Sequence, residues 1–555
     1  MLLFWTLSNP QEVFLLAGVV VAFGLMLGLS RTTPKCPDSS FASQAWSFFL
    51  KPWEMIQSRI TAWAFLLNGR NMMRDAYRKA SFLHHRMCML IMLTVYHDQS
   101  QGAPFSLDVP ENRYWVVSSR DQIKEMDAAP QSVLSLLGAA KDLLQPKHTM
   151  RGFNWMEDKQ GTEGATLIKT LRNDLTNHLS EVLPEIRLSM GALFDQNYDS
   201  LSTINGAKIS PILSLVSRAI AQSNAFIFFS EELSQNTEFI KAGISMVEHT
   251  LIISDVIRLL PKPVSDPVGK FLAGRLNSGN IVYDALEPMV ARRFEEQARG
   301  KQGHQVPEHR DCVQWIMDNS PKTKPWTVQR VVHELVALWY GSVHITSVSA
   351  CFALLDLCHH KEYAEPLRRE VENTGWEAFD KSGGRLFPLM DSFIKESARM
   401  NPVECMSTRR KALKPFHFAD GTKVEPGQWV CSPLEAMNLD PKNYASPNEF
   451  HGFRFVEPDT LERSLATSPP HEFKIPKGQK PSQFTDMSDT PIWGAGKMTC
   501  GGRFYASSVI KTLLGLFLTK WDTELMDPNA KQYFAWRSWI YPYANAKAVL
   551  RPIKR

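Results

Sequence analysis

A cysteine held in a glycine-rich loop that runs straight into an apolar, helix-forming stretch is the feature that most restricts how this chain can fold. The residues are Trp493-Gly494-Ala495-Gly496-Lys497-Met498-Thr499-Cys500-Gly501-Gly502-Arg503-Phe504-Tyr505-Ala506, followed by the apolar run Val509 to Leu518, broken by Lys511, Thr512 and Gly515. Glycines six and four residues before the sulfur, and two directly after it, allow left-handed turns and a close approach of backbone N–H groups. A helix that starts just past the cysteine turns its positive dipole end toward the sulfur and favours thiolate over thiol. Such a sulfur suits a metal. A lone cysteine is more often a structural residue, so the loop has to be weighed with other segments.

Two of these lie upstream. In Phe393-Ile394-Lys395-Glu396-Ser397-Ala398-Arg399-Met400-Asn401-Pro402, Glu396 and Arg399 are three apart and share a helix face that Pro402 ends. An exposed pair of this kind contributes only about 0.2–0.5 kcal/mol, and its interest comes from the later segment Phe450-His451-Gly452-Phe453-Arg454-Phe455. Further back, Thr327 is a candidate N-cap for the apolar run Val331 to Cys358, long enough to cross a large domain as one helix. Its middle reads Gly341-Ser342-Val343-His344-Ile345-Thr346-Ser347. On residue types alone this equally describes a buried helix whose hydroxyls bond back to the preceding turn.

In this order the segments resemble the cytochrome P450 family. The resemblance implies that Cys500 is the axial thiolate ligand of haem b and that Trp493, Gly494, Gly496, Lys497 and Gly502 belong to the cofactor-binding loop. Trp493 stands where phenylalanine is usual, and Met498 stands where a basic residue often meets a haem propionate, with Lys497 beside it as candidate. Glu396, Arg399 and Arg454 would form a buried triad on the proximal side. Aligned without a gap, His344 falls at the acid position of the family's distal groove and Ile345 at the alcohol position. Isoleucine cannot relay a proton, so Thr346, Ser342 or water takes that role, with His344 as the remaining catalytic candidate. The implied fold is mainly α with small β-sheets. The implied activity is monooxygenation with dioxygen and electrons from NADPH through a cytochrome P450 reductase. An isomerase or dehydratase acting on a peroxide, or a haem sensor or carrier, are the competing readings. The wording of the motifs is similar to membrane-anchored fungal members that oxidise secondary metabolites, with terpenoid and indole-terpenoid substrates the first expectation.

Composition enters as a filter. The length alone suggests three or four domains of ~150 residues, but a site drawn from positions 344 to 500 requires one unit, taken as residues 51–555. With 62 basic against 57 acidic residues, and no basic block interleaved with aromatics, nucleic acid is not a partner. Eight scattered cysteines without Cys-x-x-Cys suggest neither zinc nor a disulfide framework, and Cys351 and Cys358 are expected to pack in the long helix, with His359-His360 at its polar end. At the N-terminus, Val13 to Leu29 is a run of 17 apolar or glycine residues, followed by Arg31 and Lys35. Residues 13–30 are therefore read as a transmembrane signal anchor, 1–12 as lumenal and 31–50 as linker, with the catalytic unit facing the cytosol from the endoplasmic reticulum. A cleaved signal peptide is the competitor, against which no basic n-region is present. Helical patterns dominate residues 160 to 400, an Asp420-Gly421 turn suggests a hairpin followed by a strand at Trp429-Val430-Cys431, and Pro458 to Thr490 reads as irregular. Ala225 to Phe229 and Ile252 to Pro263 are either pocket cover or core, and Arg409-Arg410-Lys411 either a reductase-docking face or solvated surface.

Overall fold

A long helix organises the molecule. The computed structural model describes residues 62–78, 104–153, 163–204, 207–260, 262–322, 325–466, 473, 475–487 and 490–553, so the anchor at 13–30 and the linker at 31–50 lie outside the described residues. The long helix runs from Val328 to His359, and the Thr327 hydroxyl caps it by accepting from the Arg330 N–H at 3.2 Å. Its length and apolarity would suffice to cross a membrane, but here it is mostly buried in protein. Cys351 and Cys358 are buried in it, and His359 and His360 close it.

Neighbouring helices pack around this axis through identifiable contacts. Trp339, fully buried, donates its indole N–H to the Gly243 carbonyl at 2.9 Å, and a side chain at Gly243 would meet the indole at 2.6 Å. Glycine is thus what lets helix Thr237–Leu259 approach the long helix so closely. Phe229 stacks on the same indole at 5.3 Å, which places the aromatic run at 225–229 in the core: Ala225, Ile227, Phe228 and Phe229 are all buried. Helix Ile212–Phe228 carries Asn224, whose Nδ2 donates to Ser342 Oγ at 3.1 Å while its Oδ1 accepts from the Tyr505 hydroxyl at 2.8 Å. This one amide ties the long helix to helix Arg503–Lys520, which follows the cysteine.

The sheets are small and sit at the margins. A five-stranded sheet has the order Phe105–Asp108, Arg113–Val116, Trp429–Ser432, Ser407–Ala412, Leu134–Ser135, antiparallel except where Arg113–Val116 pairs with Trp429–Ser432. A four-stranded sheet joins Trp521–Leu525, Lys547–Pro552, Ala207–Pro211 and Thr203–Ile204. Hairpins at Phe416–His417/Lys423–Val424 and Tyr533–Trp536/Trp539–Pro542 make up the remaining sheets among the described residues. Two expectations need correction. The segment after Pro458 is not wholly irregular, since Pro458–Leu465 is a helix with proline at its first position, where the missing N–H costs nothing. Arg409 and Arg410 are not a surface run either. Strand Ser407–Ala412 alternates its faces, so Arg410 is buried near Asp127, Arg409 pairs with Glu404, and Lys411 pairs with Asp142 at 2.7 Å.

Candidate functional site

The cysteine loop is built by its glycines and its neighbours. Gly494 and Gly496 both take positive φ, +82° and +52°, and a Cβ at Gly496 would lie 1.5 Å from an Asp127 carboxylate oxygen. Asp127 fills that space and accepts the Lys497 backbone N–H at 3.3 Å. The Cys500 N–H donates to the Trp493 carbonyl at 2.8 Å, closing the loop, and Trp493 Nε1 in turn donates to the Phe484 carbonyl at 2.7 Å. Gly502 caps helix Arg503–Lys520 and turns its N–H toward the sulfur. Burial raises the thiol above its ordinary value, while the Gly502 N–H and the guanidinia of Arg503 and Arg172 pull it down. Cys500 is nonetheless exposed. Both observations hold when the accessible face of the sulfur opens onto an internal hollow rather than bulk water.

Arg172 is the residue that sequence reasoning missed. It donates to the carbonyls of Thr499 (2.9 Å) and Lys497 (3.2 Å), and its Nε is buried without a partner. It sits in a π-helical turn, Thr170–Leu175, a distortion that concentrates at functional sites. In sequence it looked like any charge on an amphipathic helix. The loop and Arg172 face a cavity of about 720 Å³ whose other walls carry Ile123, Met437 and the cations Arg120 and Lys124. The Lys497 side chain lies on the exposed side of the loop.

Glu396, Arg399 and Arg454 come together with no exposure at all. Arg399 places Nε and Nη2 on the two Glu396 oxygens at 2.7 and 2.9 Å, and Arg454 Nε reaches both at 3.0 Å. The His451 N–H adds a bond to Glu396 at 2.9 Å. The remaining guanidinium N–H groups go to backbone: Arg399 to the Asn438, Pro447 and Glu449 carbonyls, Arg454 to those of Ala445, Ser446 and Glu449. Two cations on one carboxylate are tolerable in the interior because every guanidinium nitrogen has a partner. The cluster thereby pins the segment 438–454 to helix Pro388–Met400.

On the long helix the candidate groove residues point in different directions. Between Val331 and Cys358 only Gly341 and Ile345 are exposed, four apart on one face, and the position of a Cβ at Gly341 is open space. Helix geometry turns Thr346, which is buried, about 100° away from that strip. Ser342 is engaged with Asn224 and with the Trp339 carbonyl at 3.1 Å. His344 packs 5.5 Å from the Tyr541 ring, and its Nε2 is buried and unpaired. The apolar Ile345 therefore fronts the open strip, while the hydroxyl of Ser342, three residues before it, is held by Asn224 and the Trp339 carbonyl and Thr346 is turned away. A haem group fits this set: an accessible thiol at a helix N-terminus, and beside it a cavity with apolar walls and an orphaned guanidinium N–H among cations for propionate carboxylates.

Comparison with known proteins agrees with the geometry. The family model "Cytochrome P450" matches residues 165–536, more than half of the chain. The curated relative "Cytochrome P450 monooxygenase ptmQ" of Penicillium ochrochloron is 24% identical over 82% of this chain and 86% of its own length, and "Cytochrome P450 monooxygenase AN1598" of Emericella nidulans is 27% identical over 64% of each. A solved structure, retinoic acid-bound cyanobacterial CYP120A1, shares the fold with a TM-score of 0.58 at 15% identity, covering 81% of this chain and 92% of that one. The cysteine loop and the buried triad agree with that match, and the chain belongs to the cytochrome P450 family and is a monooxygenase.

Proposed function

We propose that this monooxygenase oxidises an apolar secondary metabolite, of terpenoid or indole-terpenoid type, with Cys500 as the thiolate ligand of haem b and electrons drawn from NADPH through a partner reductase. Haem bound at Cys500 supplies the dioxygen chemistry, and thiolate donation favours O–O cleavage. The chain's own residues do the rest. The Gly502 N–H and the start of helix Arg503–Lys520 stabilise the sulfur's charge. Arg172, Arg120 and Lys124 would hold carboxylates of the cofactor. Gly341 leaves room over the open strip, and Ile345 keeps that strip apolar, which orients a hydrocarbon skeleton and excludes water. The observation that carries the substrate class is this apolar face, exposed in the middle of an otherwise buried helix.

An apolar polycyclic substrate partitions into lipid, which is consistent with a signal anchor at 13–30 and a catalytic unit on the cytosolic face of the endoplasmic reticulum. Deleting the gene in its host and identifying the metabolite that accumulates tests the substrate: an apolar terpenoid supports the reading, and a polar metabolite overturns it. Reconstitution without reductase and NADPH tests the reaction. A monooxygenase stops, whereas an isomerase or dehydratase continues on peroxide and a sensor makes no product.

A further inference from the structure

The hairpin Tyr533–Trp536/Trp539–Pro542 ends in a two-residue turn, Arg537-Ser538, that lies inside the protein. Turns ordinarily sit at the surface, yet Arg537 and Ser538 are each only 3% exposed. Arg537 also takes a φ of +55°, a left-handed conformation that a residue with a side chain holds only where its surroundings impose it. The surroundings come from four segments far apart in the chain. On helix 62–78 the Leu66 carbonyl accepts the Arg537 N–H at 2.8 Å, and a side chain at Gly69 would lie 2.5 Å from the Arg537 carbonyl oxygen. Between strands Phe105–Asp108 and Arg113–Val116, Glu111 accepts Arg537 Nη1 at 2.8 and 3.1 Å. Near the end of helix Thr237–Leu259, Asp255 pairs with Arg537 Nε at 3.1 Å and accepts the Trp536 indole N–H at 2.6 Å, while Arg258 pairs with both Glu111 and Asp255. Ahead of strand Ser407–Ala412, Glu404 accepts the Ser538 hydroxyl at 2.6 Å, and the Cys405 N–H donates to the Ser538 carbonyl at 2.8 Å. Two guanidinia, Arg258 and Arg537, thus balance the two carboxylates Glu111 and Asp255, which makes burying the four together tolerable.

The strands of the hairpin carry this clamp to the long helix. The Tyr541 ring packs 5.5 Å from the ring of His344, the residue before Ile345, and Phe534 stacks on Tyr541 at 5.4 Å. Between these rings, Leu251 and Ile252 of helix Thr237–Leu259, and the long helix lies a cavity of about 60 Å³. Small-molecule pockets run to about 300–1,000 Å³, so hairpin and helix must part before a substrate can use this space. Asp255 is one helical turn beyond Leu251 and Ile252, and Trp536 is two residues from Phe534 on the same strand, so the clamp fastens the two walls directly beside the cavity. We propose that Arg537 is a positioning residue: its clamp on Glu111 and Asp255, seated on Gly69, holds the hairpin against helix Thr237–Leu259 and thereby sets the size of molecule that fits beside Ile345. The inference deepens the substrate reading above and rests on haem at Cys500. Helix 62–78 lends no side chain to this cavity or to the one at the cysteine loop, and it acts on specificity only as the seat of the turn.

The test titrates the ferric, haem-loaded chain optically with imidazole and with 4-phenylimidazole, two ligands of iron that differ by one phenyl ring. Arg537→Gly keeps the left-handed turn but removes the guanidinium, and Gly69→Ala unseats the turn without touching a charge. In both, the dissociation constant for 4-phenylimidazole relative to that for imidazole should fall by about 10-fold, the scale of one methylene's fit in an apolar pocket, while imidazole alone stays within about twofold. Arg537→Lys, which keeps the charge without the fork, should fall between. Hydrogen exchange without ligand should quicken in both variants at the Ile540 amide, which donates to the Val403 carbonyl at 2.9 Å in the unmodified chain. Unchanged exchange, faster exchange with an unchanged ratio, or equal weakening of both ligands overturns the proposal. The carbon monoxide spectrum separates this failure from failure of the haem-thiolate assignment: loss of the red-shifted band in the unmodified chain faults the assignment, and the exchange rates still decide the clamp.

Discussion

Arg399→Ala removes six hydrogen bonds at once: two to Glu396, at 2.7 and 2.9 Å, three to the carbonyls of Asn438, Pro447 and Glu449, and one to the Met400 sulfur at 2.9 Å. Glu396 keeps Arg454 and the His451 N–H, so its charge is not wholly abandoned. The three carbonyls lose a charged donor in a region where Arg399 itself has no exposure. Breaking a buried charge pair costs about 3–5 kcal/mol, and orphaned buried acceptors add about 1–3 kcal/mol each unless water enters the vacated space. The lower figure already approaches the whole stability of a typical fold, about 5–15 kcal/mol. At an m-value of about 3 kcal/mol/M, 3–5 kcal/mol moves the urea midpoint down by roughly 1–1.7 M. Arg399→Lys keeps the charge but not the fork and should lose less. Urea unfolding of the three proteins, read together with haem content after expression, gives the comparison. The alanine variant should be poorly folded and largely free of haem. A midpoint within about 0.3 M of the unmodified chain, roughly the error of extrapolation, with full haem content would refute the reasoning.

Two other perturbations follow from particular contacts. Gly496→Ala places a methyl 1.5 Å from the Asp127 carboxylate at a residue with φ of +52°, so haem content and melting temperature should both fall, and adding Asp127→Ala should recover part of the loss; full haem content in the single variant would contradict the packing. Asp356 is buried, accepts both Asn401 Nδ2 contacts at 3.1 Å, and is raised by burial to about 7. The folded state then holds a proton that the unfolded chain has already lost, so the stabilisation is complete below the unfolded value near 4 and disappears as pH rises through about 7. Asp356→Asn should flatten the fall in melting temperature between about pH 4 and pH 7, and equal slopes in the two proteins would count against it.

What sequence could reveal depended on whether an interaction was carried by local spacing. The cysteine loop and the Glu396–Arg399 pair are contiguous patterns, and Arg454 was recognisable from the residues around it. Thr327 could be read as a cap because capping is a three-residue affair. Arg172 carried no such signal, since its partners are backbone carbonyls more than 300 residues away. The groove was legible as a segment but not as a surface: one residue along a helix is a turn of about 100°, which separates Thr346 from Ile345. Arg409-Arg410-Lys411 looked like a charged run and became an alternating strand, because the pairing with Trp429–Ser432 that buries one face is long-range.

The central claim, that Cys500 is the thiolate ligand of haem iron, is tested most directly by the absorption spectrum of the reduced, carbon monoxide-bound protein beside Cys500→Ala. Thiolate ligation requires the strongly red-shifted Soret band in the unmodified protein and its loss in the variant. A spectrum of histidine ligation in the unmodified protein, or the same red-shifted band in Cys500→Ala, would contradict it.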